Sequence, residues 1–431
     1  MKILYLCSDH GVDLSGVKGA SIHVRSFAQA LAALGHEVTV IGTKVSSPES
    51  FEATTHTTAF AAPLAAWNRK LLRAMKAANQ SLGRSAGRGR DIIRALHNAE
   101  FFKVVDQFAG RLSPSFIYER YSLWGTAGDW LARKWSIPLV LEVNSPLSYE
   151  EQQYRDGVAF PALARWAERR IWRRADLVVA VSQAFRSHFE KAGVAPEKVR
   201  ILPNAVDTSL FRAQDDESSV RRCMNLDGRF VVGFVGSFKA WHGVDFLFKA
   251  FARLRREADS YHLLLVGDGP MRGMLENEIR RSGLQEAVTF VGSVPHEDVP
   301  RYLAVMDVAV APYPPLKDFY YSPLKLYEYM AAGRAIVASK IGQVGEAVAD
   351  GLTGLLYQPN DFEGLLQCLR RLWRDEKFRR ELGKNARIAC SKNTWSENAA
   401  RVLSWVDPLL GHPRSGASMV RVKRSAARLD A

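Results

Sequence analysis

Short apolar runs alternate with longer amphipathic stretches along most of the chain. The runs KILYLCS, EVTVIGT, SFIYERY, PLVLEVN, DLVVAVS and VRILPN in the first half read as strands. FVVGFVG, HLLLVGDG, VTFVG, DVAVAPY, RAIVAS and TGLLY repeat the pattern in the second half. Helix-length segments such as IHVRSFAQALAALG and GVDFLFKAFARLRREA separate many of them. Strands that are apolar throughout and alternate with helices belong to parallel sheets covered on both faces. At 431 residues the chain is too long for one ordinary core. The pattern therefore predicts an α/β protein of two doubly wound, Rossmann-like parallel-sheet domains.

Interruptions in the pattern mark the domain limits. After VRILPN, the stretch NAVDTSLFRAQDDESS (204–219) turns polar and ends in an acidic run, which sets the first domain at 1–207 and the second at 208–390. Residues 45–115 break the rhythm of the first domain with a long basic, partly helical insertion, in which SLGRSAGRGR (81–90) reads as a mobile loop. TWSENAARVLSWV (394–406) has the spacing of a terminal amphipathic helix within a segment 391–408, and the basic remainder 409–431 reads as disordered.

Composition narrows the class. With 47% hydrophobic and 24% charged residues, the chain is that of an ordinary globular protein. No apolar run approaches the roughly 20 residues of a membrane-spanning helix. The N-terminal MKILYLCSDHG reads as a first strand rather than a signal peptide. Cys7, Cys223, Cys368 and Cys390 are scattered, which fits a reducing cytoplasm and argues against a structural zinc site. The net charge of +14 is concentrated in patches. Eight Lys or Arg stand against Asp91 alone between Trp67 and Arg94; RWAERRIWRR (165–174) interleaves five arginines with Trp166 and Trp172; and 412–431 sets five basic residues against one acid. Such patches suit nucleic acid or an anionic membrane surface, the plain alternative being a solvated basic face. No zinc-finger, RNA-recognition or helix-turn-helix signature accompanies them, which disfavours nucleic acid.

In doubly wound sheets ligands sit outside the carboxyl ends of the strands. DHGVDLSGVKGASIHVRSF (9–27) is a glycine-rich loop between the first strand and first helix. Gly16 and Gly19 let the backbone approach a ligand, and the amides at the helix start favour an anionic group; a flexible turn is the plain alternative. The loop is neither GxGxxG nor a P-loop, so it implies neither a dinucleotide nor ATP. In GSFKAWHGVDFL (236–247), Gly236 ends a strand while Lys239 and His242 bring positive or donor groups to the cleft, as a phosphate requires. LLLVGDGPMRGMLE (263–276), with Gly267, Gly269 and Gly273, misses the dinucleotide fingerprint by one residue. A tight strand–helix turn explains it equally well.

The sharpest segment is FYYSPLKLYEYMAAG (319–333). Ser322 suits an N-cap, Pro323 the first helical position and Gly333 the stop. A capping box would place an acid where Lys325 stands. First-turn amides beside Lys325 could hold a diphosphate. Glu328, about 1.5 turns on, could accept two hydroxyls of a ribose diol; pairing with a surface lysine is the plain alternative.

Together these residues resemble the GT-B glycosyltransferases of family 4 over nearly the whole chain. The resemblance rests on the glycine-rich first loop, GHEVTVIG (35–42), PNAVD (203–207), VGDGP (266–270), FVGSV (290–294) and, most specifically, SPLKLYEYMAAG (322–333). It implies two Rossmann-like domains facing across a cleft, the second binding a nucleotide sugar and the first an acceptor, with the helix 394–406 crossing back to the first domain. It also implies transfer with retention of anomeric configuration and no required metal. Glu328 then matches the second glutamate of an E-x7-E motif and holds the ribose. Val291 and Val294 flank the base, and Leu324 and Lys325 lie near the diphosphate, with Gly236, Ser237, Gly267, Gly269, Ser322 and Pro323 around them. The first glutamate of the motif falls at Tyr320, near the donor sugar. The family's phosphate-loop arginine and lysine fall at Ser237 and His242, leaving Lys239 and His242 as the cationic and donor candidates. The family's histidine after the fifth strand falls at Asn144, which with Lys239 and His242 completes the candidate catalytic set. Gly16, Lys18, Gly19, Ser21, His23 and Arg120 are the candidate acceptor contacts. The basic segments fit members acting on lipid-linked acceptors at the inner membrane face, in assembly of a surface polysaccharide or glycolipid. The expected partners are a nucleotide-sugar donor, a glycan or lipid-linked acceptor and an anionic membrane surface; no metal and no nucleic acid is expected. The alternatives are a sugar-nucleotide epimerase of the same fold, or a silent nucleotide-sugar-binding partner protein.

Overall fold

In the computed structural model the described residues are 1–82, 90–109, 111–154, 157–211 and 217–411. Seven strands build the first sheet: β1 (Lys2–Cys7), β2 (Glu37–Gly42), β3 (Thr58–Ala61), β4 (Phe116–Arg120), β5 (Leu139–Val143), β6 (Leu177–Ala180) and β7 (Val199–Ile201). Six build the second: β8 (Phe230–Val235), β9 (Tyr261–Val266), β10 (Val288–Gly292), β11 (Val308–Ala311), β12 (Ala335–Ser339) and β13 (Leu355–Tyr357). Their orders are β3-β2-β1-β4-β5-β6-β7 and β10-β9-β8-β11-β12-β13, and every pairing is parallel. Each order reverses once, at β1/β4 and at β8/β11, which opens a crevice above the strand ends at that point.

Strand alternation explains why the runs are apolar throughout. Ile3, Tyr5 and Cys7 join the core on one face of the first sheet, while Leu4 and Leu6 join the core on the other. The second sheet divides likewise: Val232 and Phe234 pack on one side, Val231 and Val235 on the other.

Residues 45–115 differ from the expected insertion. Thr58–Ala61 pairs with β2, Thr39 opposite Thr58 through Gly42 opposite Ala61, so the segment supplies the sheet's edge strand. Helices Pro48–Thr55, Ala66–Ser81 and Arg90–Ala109 make up most of the rest. The loop expected over 81–90 falls largely on 83–89, outside the described residues, as does the part of the tail from 412 onward.

After the second domain the chain returns. Thr394 forms a bridge with Val206, and its side chain accepts the Glu397 amide at 3.2 Å, starting the helix Trp395–Val406. That helix buries Trp395, Ala399, Val402 and Val406 in the first-domain core with Val24, Phe27 and Leu31. Asn398 donates to the Pro203 carbonyl at 2.7 Å, fixing the crossover. Among the described residues no helix is long and apolar enough to cross a membrane.

Candidate functional site

The ends of β8, β9 and β10 meet as a glycine terrace. Gly236 and Gly267 have φ of +137° and +129°, which L side chains rarely adopt. A Cβ on Gly267 would stand 2.0 Å from the Gly236 carbonyl oxygen, and one on Gly269 would stand 2.6 Å from the Phe238 nitrogen. These glycines let the strand ends and the following loop lie close. A Cβ on Gly236 would come within 2.6 Å of Lys325 Nζ, so the lysine reaches into this terrace.

Lys325 is in the first turn of the helix Leu324–Ala331. Its Nζ is buried and has no hydrogen-bond partner, lying 3.9 Å from the Phe234 ring centroid. Burial pushes the ammonium down to about 7, partly offset by Glu328. A buried ammonium facing an aromatic ring and no oxygen is costly unless an anion joins it. No side chain caps this helix, so its first-turn amides have no side-chain acceptor.

Ser322 does not cap the helix as its position suggests. Its hydroxyl accepts the Asn204 amide at 2.8 Å, and its carbonyl accepts Asn204 Nδ2 at 2.5 Å. The N-cap position falls instead on Pro323, which has no side-chain donor or acceptor. Glu328 is 7% exposed and accepts from His296 Nε2 at 2.8 Å, so it is no surface partner of a lysine. The sequence reading passed over His296; its only signal was a histidine four residues beyond Gly292, on the loop that follows β10. Val291 and Val294 are half-buried beside it and pack on the second-domain core.

His242 differs from its expected part. Its Nδ1 lies 2.5 Å from the Ser237 carbonyl, which can only accept, so Nδ1 carries the hydrogen and Nε2 a lone pair. Burial, with Lys325 adding, pushes the imidazole down to about 3. In this arrangement His242 brings neither a positive charge nor a free donor. Lys239 is half-buried, with Nζ 4.8 Å from the Trp241 ring centroid.

In the first domain three candidates meet on Glu142, a residue the sequence reading missed. Arg120 donates to its Oε1 at 2.9 Å, His23 Nε2 contacts Oε2 at 2.8 Å and Tyr118 donates to Oε2 at 2.6 Å. Asn144 Nδ2 also donates to Oε1. Burial raises the carboxyl pKa, but His23, Arg120 and the Tyr118 hydroxyl outweigh it and hold Glu142 well below the usual range. His23 Nδ1 lies 2.8 Å from Asn204 Oδ1, so the ring is enclosed rather than open to a ligand. The available signal was an acid inside the apolar strand LVLEV.

The glycine-rich loop brings the domains together. Gly16 accepts from Arg25 Nη1 at 2.5 Å and Ser21 is buried. Lys18 is exposed just before the helix Gly19–Ala33, which also has no side-chain cap. A Cβ on Gly19 would stand 3.5 Å from Leu324 Cδ1, so two uncapped helix starts face each other across the cleft.

Tyr320, the candidate for the donor-sugar side, packs into the other domain. It is fully buried in the first-domain core beside Phe185, donates to Glu150 Oε2 at 3.3 Å and accepts from Ser182 Oγ at 2.9 Å through its carbonyl. Gln343 donates to the Val181 carbonyl at 3.0 Å nearby. Among the described residues no group of three or more His, Cys, Asp or Glu is placed to hold a metal.

Residues 17–210 match the family model described as Glycosyltransferase Family 4, and 229–375 the one described as Glycosyl transferases group 1. The alpha-D-kanosaminyltransferase of Streptomyces kanamyceticus is 29% identical over 59% of this chain and 66% of its own length. The GDP-mannose-dependent alpha-(1-6)-phosphatidylinositol monomannoside mannosyltransferase of Mycolicibacterium smegmatis is 30% identical over 57% of this chain and 66% of its own. The chain thus spans just under two thirds of these relatives. Anabaena Alr3699/HepE, solved in complex with UDP, has the same fold, with a TM-score of 0.72 at 21% identity over 94% of this chain and 100% of that one.

Proposed function

This chain belongs to glycosyltransferase family 4 and has the two-domain GT-B fold, and from that premise we propose that it moves a sugar from a nucleoside diphosphate sugar to a glycan or lipid-linked acceptor with retention of configuration. The observation that carries the reading is Lys325, a buried cation without a hydrogen-bond partner, set against glycine strand ends and uncapped helix amides. That is a site for a diphosphate. Its charge develops as the sugar departs, so the cation and amides stabilise the leaving group where the barrier lies. Glu328, oriented by His296, accepts the ribose hydroxyls, and Val291 and Val294 line the base. The reading calls for no metal. Lys239, whose charge is felt at His242, adds to that of Lys325 in this reading, and the loop from Gly16 to Ser21 faces the acceptor. Glu142 holds Arg120 and Asn144 at the opposite wall.

One relative's name gives a GDP sugar and a lipid acceptor, and the Anabaena protein holds UDP, so both bases enter the test. We place the work at the cytoplasmic face of a membrane, in assembly of a surface polysaccharide or glycolipid. The exposed Phe160, Leu163 and Trp166 beside Arg165, Arg169 and Arg173 support this. Incubation with UDP- and GDP-hexoses, with and without an acceptor panel, tests the reading. Acceptor-dependent nucleotide release with a retained anomeric coupling in the product is expected. An inverted product would overturn retention, and an epimerised donor formed without acceptor would overturn transfer.

A further inference from the structure

We infer that the guanidinium of Arg272 reads the base of the donor nucleotide, and that this base is guanine. The inference rests on the proposed nucleoside diphosphate site and names the base that the site takes.

Glycines lead from the diphosphate site to the place for a base. Gly236, beside Lys325, lies against Gly267, and the Gly267 amide donates to the Gly292 carbonyl at 2.8 Å. Gly292 ends β10 with φ of +86°. A Cβ placed there would meet Arg272 Nη1 at 3.8 Å and no other side chain within 4 Å. The guanidinium therefore borders an open space above this strand end. Glu328 meets His296 on the loop that follows β10, so a ribose held by Glu328 sends its base toward that space.

The space has two unlike sides. Val291 and Val294 pack on the core at one face of the second sheet, and Phe290 packs on the core at the other. Arg272 Cζ lies 5.4 Å from the Phe290 ring centroid, so the guanidinium arrives from the side opposite the valines. An apolar wall for the plane of a base and donors for its edge thus meet at one strand end.

The helix that carries Arg272 has no use of its own for a cation there. Arg272 is the first residue of the helix Arg272–Arg281, where a positive charge opposes the dipole. Glu276 accepts from its Nε at 2.8 Å, and Asp268 accepts from Nη1 at 3.4 Å. Half-exposed pairs of this kind contribute little to stability, but together they hold the plane of the fork. They engage two of its five N–H groups.

Base chemistry then decides among nucleotides. Guanine presents O6 and N7 side by side, two acceptors that an arginine fork takes as a pair. Adenine has an amino group beside N7, so one arm of the fork would meet a donor. Uracil offers O4 with no acceptor beside it on that edge, so a single bond forms.

Calorimetric titration of the full chain with GDP, UDP, ADP and 7-deaza-GDP, in which carbon replaces N7, tests this. GDP is expected to bind about 5- to 150-fold more tightly than UDP or ADP, the worth of one bidentate base contact. The 7-deaza analogue should bind about fivefold or more weakly than GDP, the loss of one hydrogen bond. Arg272→Met should collapse the preference for GDP over UDP, in protein whose thermal unfolding matches that of wild type. UDP or ADP binding as tightly as GDP, a 7-deaza analogue equal to GDP, or a GDP preference that survives Arg272→Met would each overturn the inference and leave the proposed function standing. No binding of any of the four by wild type would strike the proposed function, and the inference with it.

Discussion

Lys325 and Glu328 carry the account at the scale of single residues, and both were legible because each stands where local rules expect something else. A lysine replaces a capping acid, and an acid sits inside an apolar helix. Glu142 carried a like signal, an acid inside an apolar strand, but its role and that of His296 come from partners far away in sequence: Arg120, His23 and Tyr118 for one, Glu328 for the other. Lys325→Met should stabilise the ligand-free protein, because it removes a buried ammonium without a partner. The sign with pH follows. Its folded pKa of about 7 lies below the unfolded value, so above pH 7 the unfolded chain holds a proton that the folded chain lacks. Wild-type stability therefore rises from pH 7 toward the ordinary lysine range. Thermal melts at pH 7 and pH 9 should show the gap between Lys325→Met and wild type narrowing with pH. A widening gap would mean the lysine is stabilising. Nucleotide affinity runs the other way, weakening as pH rises above about 7, since the diphosphate favours the ammonium.

Elements were read well where the apolar pattern was strong. All twelve runs taken as strands are strands, and Gly333, with φ of +65°, ends its helix. The missed element, β3, is the four-residue TAFA with two exposed positions, and only its pairing with β2 makes it a strand. The start of the helix Leu324–Ala331 shifted because Asn204 takes the Ser322 hydroxyl, a tertiary contact overriding a local cap. The helix Pro161–Arg174 was visible as a basic, aromatic run, and its exposed face is consistent with that reading: Trp166 is 54% exposed, with Arg170 at 5.5 Å from its ring. Co-sedimentation with anionic vesicles at low salt should therefore fall by about fivefold or more for Arg169→Glu, and further with Trp166→Ala. Binding that ignores both changes would detach this face from any membrane role.

Across the whole molecule, the two sheets and the helix that returns to the first domain were legible, and the packing of Tyr320 across the domains was not. Tyr320 stands where the family has a glutamate, but the side chain is spent on the first domain, packed by Phe185 and bonded to Glu150. A sequence pattern cannot show that a residue of one domain completes the core of the other. Tyr320→Ala should cost about 3–5 kcal/mol in denaturant unfolding, as for other buried aromatic truncations. A cost near zero would place the ring outside the core. The two helix starts at Gly19 and Leu324, brought together by this packing, make the cleft that the account assigns to a diphosphate.

Calorimetric titration of wild type, Lys325→Met and Glu328→Ala with UDP and GDP tests that assignment most directly. The account predicts that wild type binds at least one of them. It predicts that each substitution weakens that binding by about 10- to 150-fold, the loss of one charged hydrogen bond, in protein that stays folded. Equal affinity in wild type and Lys325→Met, or no binding of either nucleotide by wild type, would contradict it.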